Sequence, residues 1–217
     1  HGFEIRYGSP SGRSPEETKA FLDTFLNLSD KQLNFLYTKI RNDNHRRNGV
    51  VIENLDGLED FLKEINFKPS ENHKLSKYEV RYLTGEWFEE YIYYRLKEEG
   101  VIDEGNLETG MHLIKKDVPN EFDVLFLYKT RFYAIECKTS ILNDKKQNII
   151  NETIYKSTAL QKNLGLFSNF SIITLSSKES NEVKQANIDR AVSLGIKVFC
   201  LEDVLQAKSI SEMLKLN

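Results

Sequence analysis

Three charged residues stand in two short apolar stretches and form the strongest candidate site in the sequence. Asp123 lies within residues 122–128, and Glu136 and Lys138 lie at the end of residues 132–138. Buried charges cost free energy unless they are paired, and a divalent cation is a common partner for carboxylates. Because strand side chains alternate, Glu136 and Lys138 point to one face, roughly 6.5 Å apart along the strand. The pattern predicts a metal held by Asp123 and Glu136 beside Lys138, and metal-assisted phosphodiester hydrolysis.

Composition and charge favour a globular protein that does not enter a membrane. Hydrophobic residues make up 40% and charged residues 29% of the sequence, and no run of about 18 apolar residues occurs. The net charge of −3 gives no global basic field, although only the local patch matters for binding nucleic acid. Cys137 and Cys200 lie in apolar stretches, which predicts buried, reduced thiols and a cytoplasmic protein.

Local basic clusters are present despite the acidic total. A solvated surface is the ordinary interpretation of such clusters, and contact with phosphate is the alternative. The two main clusters are Lys39, Arg41, His45, Arg46 and Arg47, and Lys68, His73, Lys74, Lys77 and Arg81.

The first part of the chain predicts a linker or loose arm followed by a small helical module. Residues 1–13 are rich in Gly, Ser and Pro, which is typical of a linker. Ser14 before a proline is a helix N-cap signal, and further helices are expected from Ser29 and Gly57, with a short strand at 50–52. Residues 14–74 therefore predict a winged-helix-like module, with a helical connector as the alternative.

Residues 75–217 predict an α/β domain. The order is one helix, three strands, and then a helix, a strand, a helix and a strand, which favours a mixed sheet with helices on both faces. The expected ranges are helix 78–99, strands 110–115, 122–128 and 132–138, helix 149–164, strand 170–175, helix 182–194 and strand 196–201.

This order, with Asp on the second strand and Glu-x-Lys on the third, resembles the PD-(D/E)xK core shared with restriction endonucleases. The resemblance implies that Asp123, Glu136 and the backbone carbonyl of Cys137 bind Mg²⁺ or Mn²⁺, with Lys138 as the catalytic lysine. Lys138 either orients and deprotonates the attacking water or stays charged and stabilises the transition state. Thr139, Lys156 and Lys162 are candidate contacts to substrate phosphate, although solvated charge is the ordinary interpretation of the last two.

The family also supplies a Glu from the preceding helix. At 100° per residue, Glu89 lies at one border of the apolar face and Glu90 at the other. A half-buried border position suits a metal ligand, so Glu89 is the first candidate and Glu90 the second.

Three segments give a closer resemblance, namely residues 85–91, 120–124 and 135–139. They resemble the nuclease domain of CRISPR ancillary nucleases, in which a CARF sensor domain binds cyclic oligoadenylate. The match covers about residues 78–205, so a cyclic oligoadenylate partner is expected only through an upstream domain. The first methionine is Met111, and we therefore expect that residue 1 is not a natural translation start. The resemblance also implies DNA or RNA as substrate and a homodimer.

Two rival hypotheses accompany the nuclease. One is a catalytically silent nucleic-acid-binding module on the same fold, and the other is a regulator whose N-terminal helices bind duplex DNA. A silent descendant usually loses an acid or the lysine, whereas this sequence keeps Asp123, Glu136 and Lys138. The sequence therefore favours a nuclease in antiviral defence, with non-specific cleavage and a preference for single strands.

Overall fold

The structure is a computed structural model that describes residues 4–8, 11–115, 118–140, 149–164, 168–179 and 183–216. The chain forms two compact units: one is Ser11–Trp87, and the other is Phe88–Asn217 together with His1–Pro10. Within the described ranges, none of the helices has the length and apolar character needed to cross a membrane.

The helices and strands follow one another along the chain with short connections. The helices are α1 (Pro15–Leu26), α2 (Asp30–Phe35), α3 (Asp43–Asn48), α4 (Leu58–Glu64), α5 (Lys77–Arg81), α6 (Trp87–Glu99), α7 (Ile150–Leu164), α8 (Gln185–Ser193), α9 (Leu201–Gln206) and α10 (Ile210–Leu214). The strands are β1 (Glu4–Arg6), β2 (Val50–Val51), β3 (Lys74–Leu75), β4 (Leu107–Lys115), β5 (Val118–Tyr128), β6 (Arg131–Lys138), β7 (Ser168–Thr174) and β8 (Ile196–Phe199).

The unit Ser11–Trp87 contains α1 to α5 and a two-stranded antiparallel sheet of β2 and β3. Ser14 and Ser29 cap α1 and α2 through capping boxes, so both predicted helix starts are confirmed. A cluster of aromatic rings forms its core, in which Trp87 packs against Phe21 and Phe25. Whether residues 14–74 form a winged-helix-like module or a helical connector stays a prediction.

The long helix predicted over residues 78–99 is interrupted. A π-helical turn at Tyr82–Glu86 separates α5 from α6, and Gly85 has a non-helical backbone there (φ 159°, ψ −35°). Glycine reaches this conformation because it has no Cβ, and the side-chain periodicity carries no signal of the break. The prediction of one continuous helix was therefore wrong at Gly85.

The second unit is built on a six-stranded sheet in the order β1-β4-β5-β6-β7-β8. The pairs from β1 to β6 are antiparallel, and β7 and β8 extend the sheet in parallel. The predicted mixed α/β fold is confirmed. β1 lies in the segment predicted to be a loose arm, and its three residues are too short and too polar to show a strand pattern.

Apolar residues of the sheet and of α7 form one core, which includes Ile150, Ile154 and Ile172. The strand connection through α7 joins β6 to β7, and parallel strands of this kind present their carboxyl ends at one edge of the sheet. Lys138, the last residue of β6, pairs with Thr174, the last residue of β7. The end of the Glu-x-Lys segment therefore lies at this edge.

Candidate active site

Asp123 and Glu136 lie next to each other where β5 and β6 stop pairing. Val124 of β5 pairs with Ile135 of β6. Asp123 comes directly before Val124, and Glu136 comes directly after Ile135. Residues opposite each other in an antiparallel pair share one face of the sheet. The register therefore directs both carboxylates to the same side.

The carboxylate of Asp123 is buried and held by the backbone of the neighbouring strand. The N–H of Cys137 donates a hydrogen bond of 2.7 Å to Oδ2 of Asp123. The Thr109 hydroxyl donates a bond of 2.9 Å to the Asp123 carbonyl oxygen. Within a strand the N–H and C=O of one residue point to the same side. The Cys137 carbonyl, predicted as a metal ligand, therefore faces the same side as the Asp123 carboxylate.

Lys138 lies between the two carboxylates. Its Nζ is 2.7 Å from Oε1 of Glu136 and 3.7 Å from Oδ2 of Asp123. The lysine and the glutamate are two apart on β6, so they share a face as expected. The ammonium group thus balances part of the buried negative charge.

A second lysine reaches Glu136 from helix α7. The Nζ of Lys156 is 3.2 Å from both Oε1 and Oε2 of Glu136. The sequence predicted Lys156 as a phosphate contact, and no sequence signal indicated this pair across 20 positions. The side chain of Lys162, also in α7, lies outside the described residues. The side chain of Thr139 is buried just after β6.

Burial and neighbouring charges shift the pKa values of this site in different directions. Burial raises the pKa of Asp123 to about 7, against the lowering effect of Lys138. Burial would also raise the pKa of Glu136, but the ammonium groups of Lys138 and Lys156 lower it overall. Burial would lower the pKa of Lys138, but the two carboxylates raise it above its usual value. Lys138 is therefore a cation in this arrangement.

The charge of Glu89 also acts at this site. It raises the pKa of both Lys138 and Cys137, which places its carboxylate within electrostatic range of them. Glu90 is more deeply buried in α6, and its charge adds to the effect of burial in raising the pKa of Tyr94. Of the two predicted glutamates, the structure brings Glu89 toward the site.

The thiol of Cys137 is not available as a nucleophile. It is buried, and burial raises its pKa well above the usual value, with the Asp123 charge adding to the effect. A thiol in this state is a weak nucleophile because little thiolate forms. Cys200 is also buried, and neither cysteine forms a disulfide bond.

The donor set fits a hard divalent cation. Two carboxylates and a carbonyl supply oxygen ligands, and Mg²⁺ usually completes its shell with waters and substrate phosphate. Burial raises the pKa of Asp123, and the charge of Glu136 adds to this effect, so a bound cation would favour the ionised form of Asp123. Within the described part of the chain, no three His, Cys, Asp or Glu side chains are gathered as a ready metal site.

The family is shown by residues 76–214, which match the model of the Card1-like endonuclease domain. No curated protein matches the sequence. The structure resembles the crystal structure of protein VC1899 from Vibrio cholerae, with a TM-score of 0.66 and 20% identity over 99% of this chain and 59% of that chain.

It also resembles Can2 from Sulfobacillus thermosulfidooxidans, solved in complex with cyclic tetra-adenylate. The TM-score is 0.63, with 23% identity over 91% of this chain and 54% of that one. The chain thus spans little more than half the length of either protein, and at these identities the likeness is one of fold. The resemblance of the fold to the PD-(D/E)xK domain of CRISPR ancillary nucleases is confirmed. The chain belongs to the Card1-like endonuclease family.

Proposed function

We propose that this protein is a divalent-cation-dependent endonuclease that hydrolyses phosphodiester bonds in nucleic acid. The observation that carries the proposal is the placement of Lys138 between Asp123 and Glu136, at 3.7 and 2.7 Å, within a domain of an endonuclease family. Two carboxylates that can hold a cation, with a lysine beside them, supply groups that metal-assisted hydrolysis at phosphorus can use.

Asp123, Glu136 and the Cys137 carbonyl would hold Mg²⁺ or Mn²⁺, with Glu89 as a further carboxylate near it. The cation would lower the pKa of water and stabilise the charge that develops at phosphorus. The protein fixes the ligands, because the Cys137 N–H holds Asp123 and the strand register aligns Glu136. Bound metal ions need such orienting hydrogen bonds to their ligands.

The two roles proposed for Lys138 are not equally supported. Its two carboxylate neighbours raise its pKa, so the protonated form dominates near neutral pH. A protonated lysine cannot accept a proton from water, but it stabilises negative charge on a phosphate oxygen. We therefore propose that Lys138 acts as a charge stabiliser, the role that its charge in the metal-free protein supports.

The substrate is proposed to be single-stranded DNA or RNA, cut without sequence specificity. Can2 was solved with cyclic tetra-adenylate, and this chain covers 54% of that protein. We infer that a cyclic oligoadenylate acts on this protein through a domain outside this chain. Homodimerisation and a cytoplasmic location stay predictions.

The direct test is cleavage of labelled single-stranded DNA and RNA with Mn²⁺, Mg²⁺ or EDTA. Lys138→Ala and Glu136→Ala are expected to lose cleavage, whereas the control Lys208→Ala, an exposed lysine of the same unit, keeps it. Calorimetric titration with Mn²⁺ is done in parallel. If the chain alone does not cut because it needs an activating domain outside this chain, the titration still tests whether the site binds metal. Absence of Mn²⁺ binding would contradict the proposal.

A further inference from the structure

The two basic clusters of the first unit meet in the fold. Helix α3 carries Arg46 and Arg47 near its end, and the chain then enters β2, where Val51 is registered opposite Lys74. After β3, helix α5 begins at Lys77. Residues that are about 30 positions apart in the sequence therefore lie on neighbouring elements.

Gly49 shows how closely these elements approach. Its φ is 76°, and a Cβ at this position would lie 2.4 Å from the Leu75 carbonyl oxygen. The same Cβ would lie 3.1 Å from Cε of Lys74 and 3.1 Å from the backbone N of Lys77. Only glycine fits here without displacing backbone. The end of α3 therefore lies directly against Lys74 and the start of α5.

The charges on these elements are not neutralised by neighbouring acids. Arg46, Arg47 and Lys77 are exposed, and Lys74 is half-buried. Among the described residues, none of these four forms an ion pair. The nearby acids have other partners. The buried Glu79 carboxylate accepts hydrogen bonds from the backbone N–H groups of Ser70 and Ser76, and Oε2 of Glu71 lies 3.8 Å from Nε2 of His73. Asp43 begins α3 one turn before Arg46 and Arg47, and within the described structure it forms no ion pair with either of them.

An exposed aromatic ring belongs to the same surface. The side chain of Tyr78 is 58% exposed, although tyrosine rings usually gain free energy from burial. The Nζ of Lys77 lies 5.0 Å from the centroid of this ring. Cations beside an exposed ring are the elements of a site that holds backbone phosphate and stacks an unpaired base.

We propose that Arg46, Arg47, Lys74, Lys77 and Tyr78 form a binding surface for single-stranded nucleic acid, the α3–α5 surface. The four cations contact successive phosphates, and Tyr78 stacks on one base. Duplex bases are already stacked on each other, so the ring favours single strands. The surface shares no residue with the candidate active site. A role of the α3–α5 surface in capturing substrate rests on the proposed function. Binding of single strands to this surface can be measured without cleavage.

Fluorescence anisotropy with labelled 20-nucleotide single-stranded DNA, single-stranded RNA and duplex DNA tests the surface, in EDTA so that cleavage does not interfere. The double variant Arg46→Gln/Arg47→Gln is expected to bind single strands at least tenfold more weakly. The slope of log affinity against log salt should fall by about 1.4, since each phosphate contact on a single strand contributes about 0.7. Tyr78→Ala is expected to weaken binding to single strands about fivefold or more and to change binding to duplex little.

Lys31→Gln/Lys63→Gln is the control for net charge, because it removes two positive charges from exposed positions of α2 and α4 in the same unit, one of them paired with Glu59. The proposal would be overturned if both double variants lost the same affinity for single strands. It would also be overturned if Arg46→Gln/Arg47→Gln lost none. If Tyr78→Ala weakened binding to duplex as much as binding to single strands, the proposed stacking of Tyr78 on a base would be overturned. Titration with Mn²⁺ separates this result from the nuclease proposal, because binding of single strands without binding of Mn²⁺ would remove only the latter.

Discussion

Lys156 in helix α7 places its ammonium group 3.2 Å from both carboxylate oxygens of Glu136, the residue that would bind a metal. The lysine therefore occupies coordination positions that a divalent cation would need. It is 47% exposed at its side chain, so it can turn toward solvent or toward a substrate phosphate without crossing the core.

Competition between Lys156 and the cation gives the first prediction. Lys156→Gln removes the competing charge, and we expect Mn²⁺ to bind about two- to fivefold more tightly, the size expected for an exposed ion pair. Isothermal titration calorimetry measures the change. Lys178→Gln is the control, since Lys178 pairs with Asp203 instead. Weaker Mn²⁺ binding by Lys156→Gln would show that the lysine supports the metal.

The second prediction concerns Lys138. Lys138→Met leaves two buried carboxylates without their nearest cation, which typically costs about 3–5 kcal/mol in the free energy of unfolding. Because Mn²⁺ supplies the missing positive charge, saturating metal should recover most of this loss. Urea unfolding with EDTA and with Mn²⁺ measures both values. If metal stabilises the variant no more than it stabilises the unaltered chain, the carboxylates do not share a cation.

The third prediction is a pH dependence of the metal-free protein. The folded pKa of Asp123 is about 7 and its usual value is 3.8, so the folded state binds the proton more tightly. The resulting stability is fully present below pH 4 and is lost as the pH rises through 7, at up to about 1.4 kcal/mol per pH unit. The lowered pKa of Glu136 affects stability only near and below its usual value of 4.5, and the pKa of Lys138 is raised from a usual value already above this window.

Asp123→Asn removes this titration while keeping an oxygen that can accept the Cys137 N–H. In EDTA, the variant should therefore be more stable than the unaltered chain at pH 8 and lose this advantage at pH 5. Urea unfolding at the two pH values provides the comparison. Parallel pH curves for the two proteins would show that Asp123 is not the titrating group.

The fourth prediction separates the two glutamates of α6. Glu89 acts electrostatically on Lys138, whereas Glu90 acts on Tyr94. Glu89→Gln is expected to weaken Mn²⁺ binding about tenfold, as changes beside a metal site commonly do. Glu90→Gln should leave the Mn²⁺ affinity unchanged, although it alters a buried position. Calorimetry on both variants measures their Mn²⁺ affinities. If Glu90→Gln weakened Mn²⁺ binding and Glu89→Gln did not, the carboxylate near the metal would be that of Glu90.

Local signals accounted for much of the fold. The caps at Ser14 and Ser29, and the apolar strands around Asp123 and Glu136, can be recognised because both depend on residues close in sequence. Helix α3 was missed because its six residues are polar and show no apolar face. Strand β1 was missed because a three-residue strand depends on its partner β4.

Long-range contacts account for what the sequence did not reveal at the site. The Lys156–Glu136 pair depends on how α7 packs against the sheet, and periodicity within the helix shows only that Lys156 is outside the apolar face. The distinction between Glu89 and Glu90 likewise depends on contacts with distant residues, because Glu89 acts on Lys138 and Cys137 of β6. Residue types predicted the chemistry, and tertiary packing determined which charges meet.

The hydrogen bond from the Cys137 amide to Asp123 makes that amide a natural reporter of the site. An amide in the interior of a sheet is usually protected from exchange with solvent deuterium by a backbone carbonyl on the next strand. At Cys137 the acceptor is a side-chain carboxylate instead. Its exchange rate and its NMR chemical shift should therefore follow the protonation and ligation of Asp123 without an attached probe.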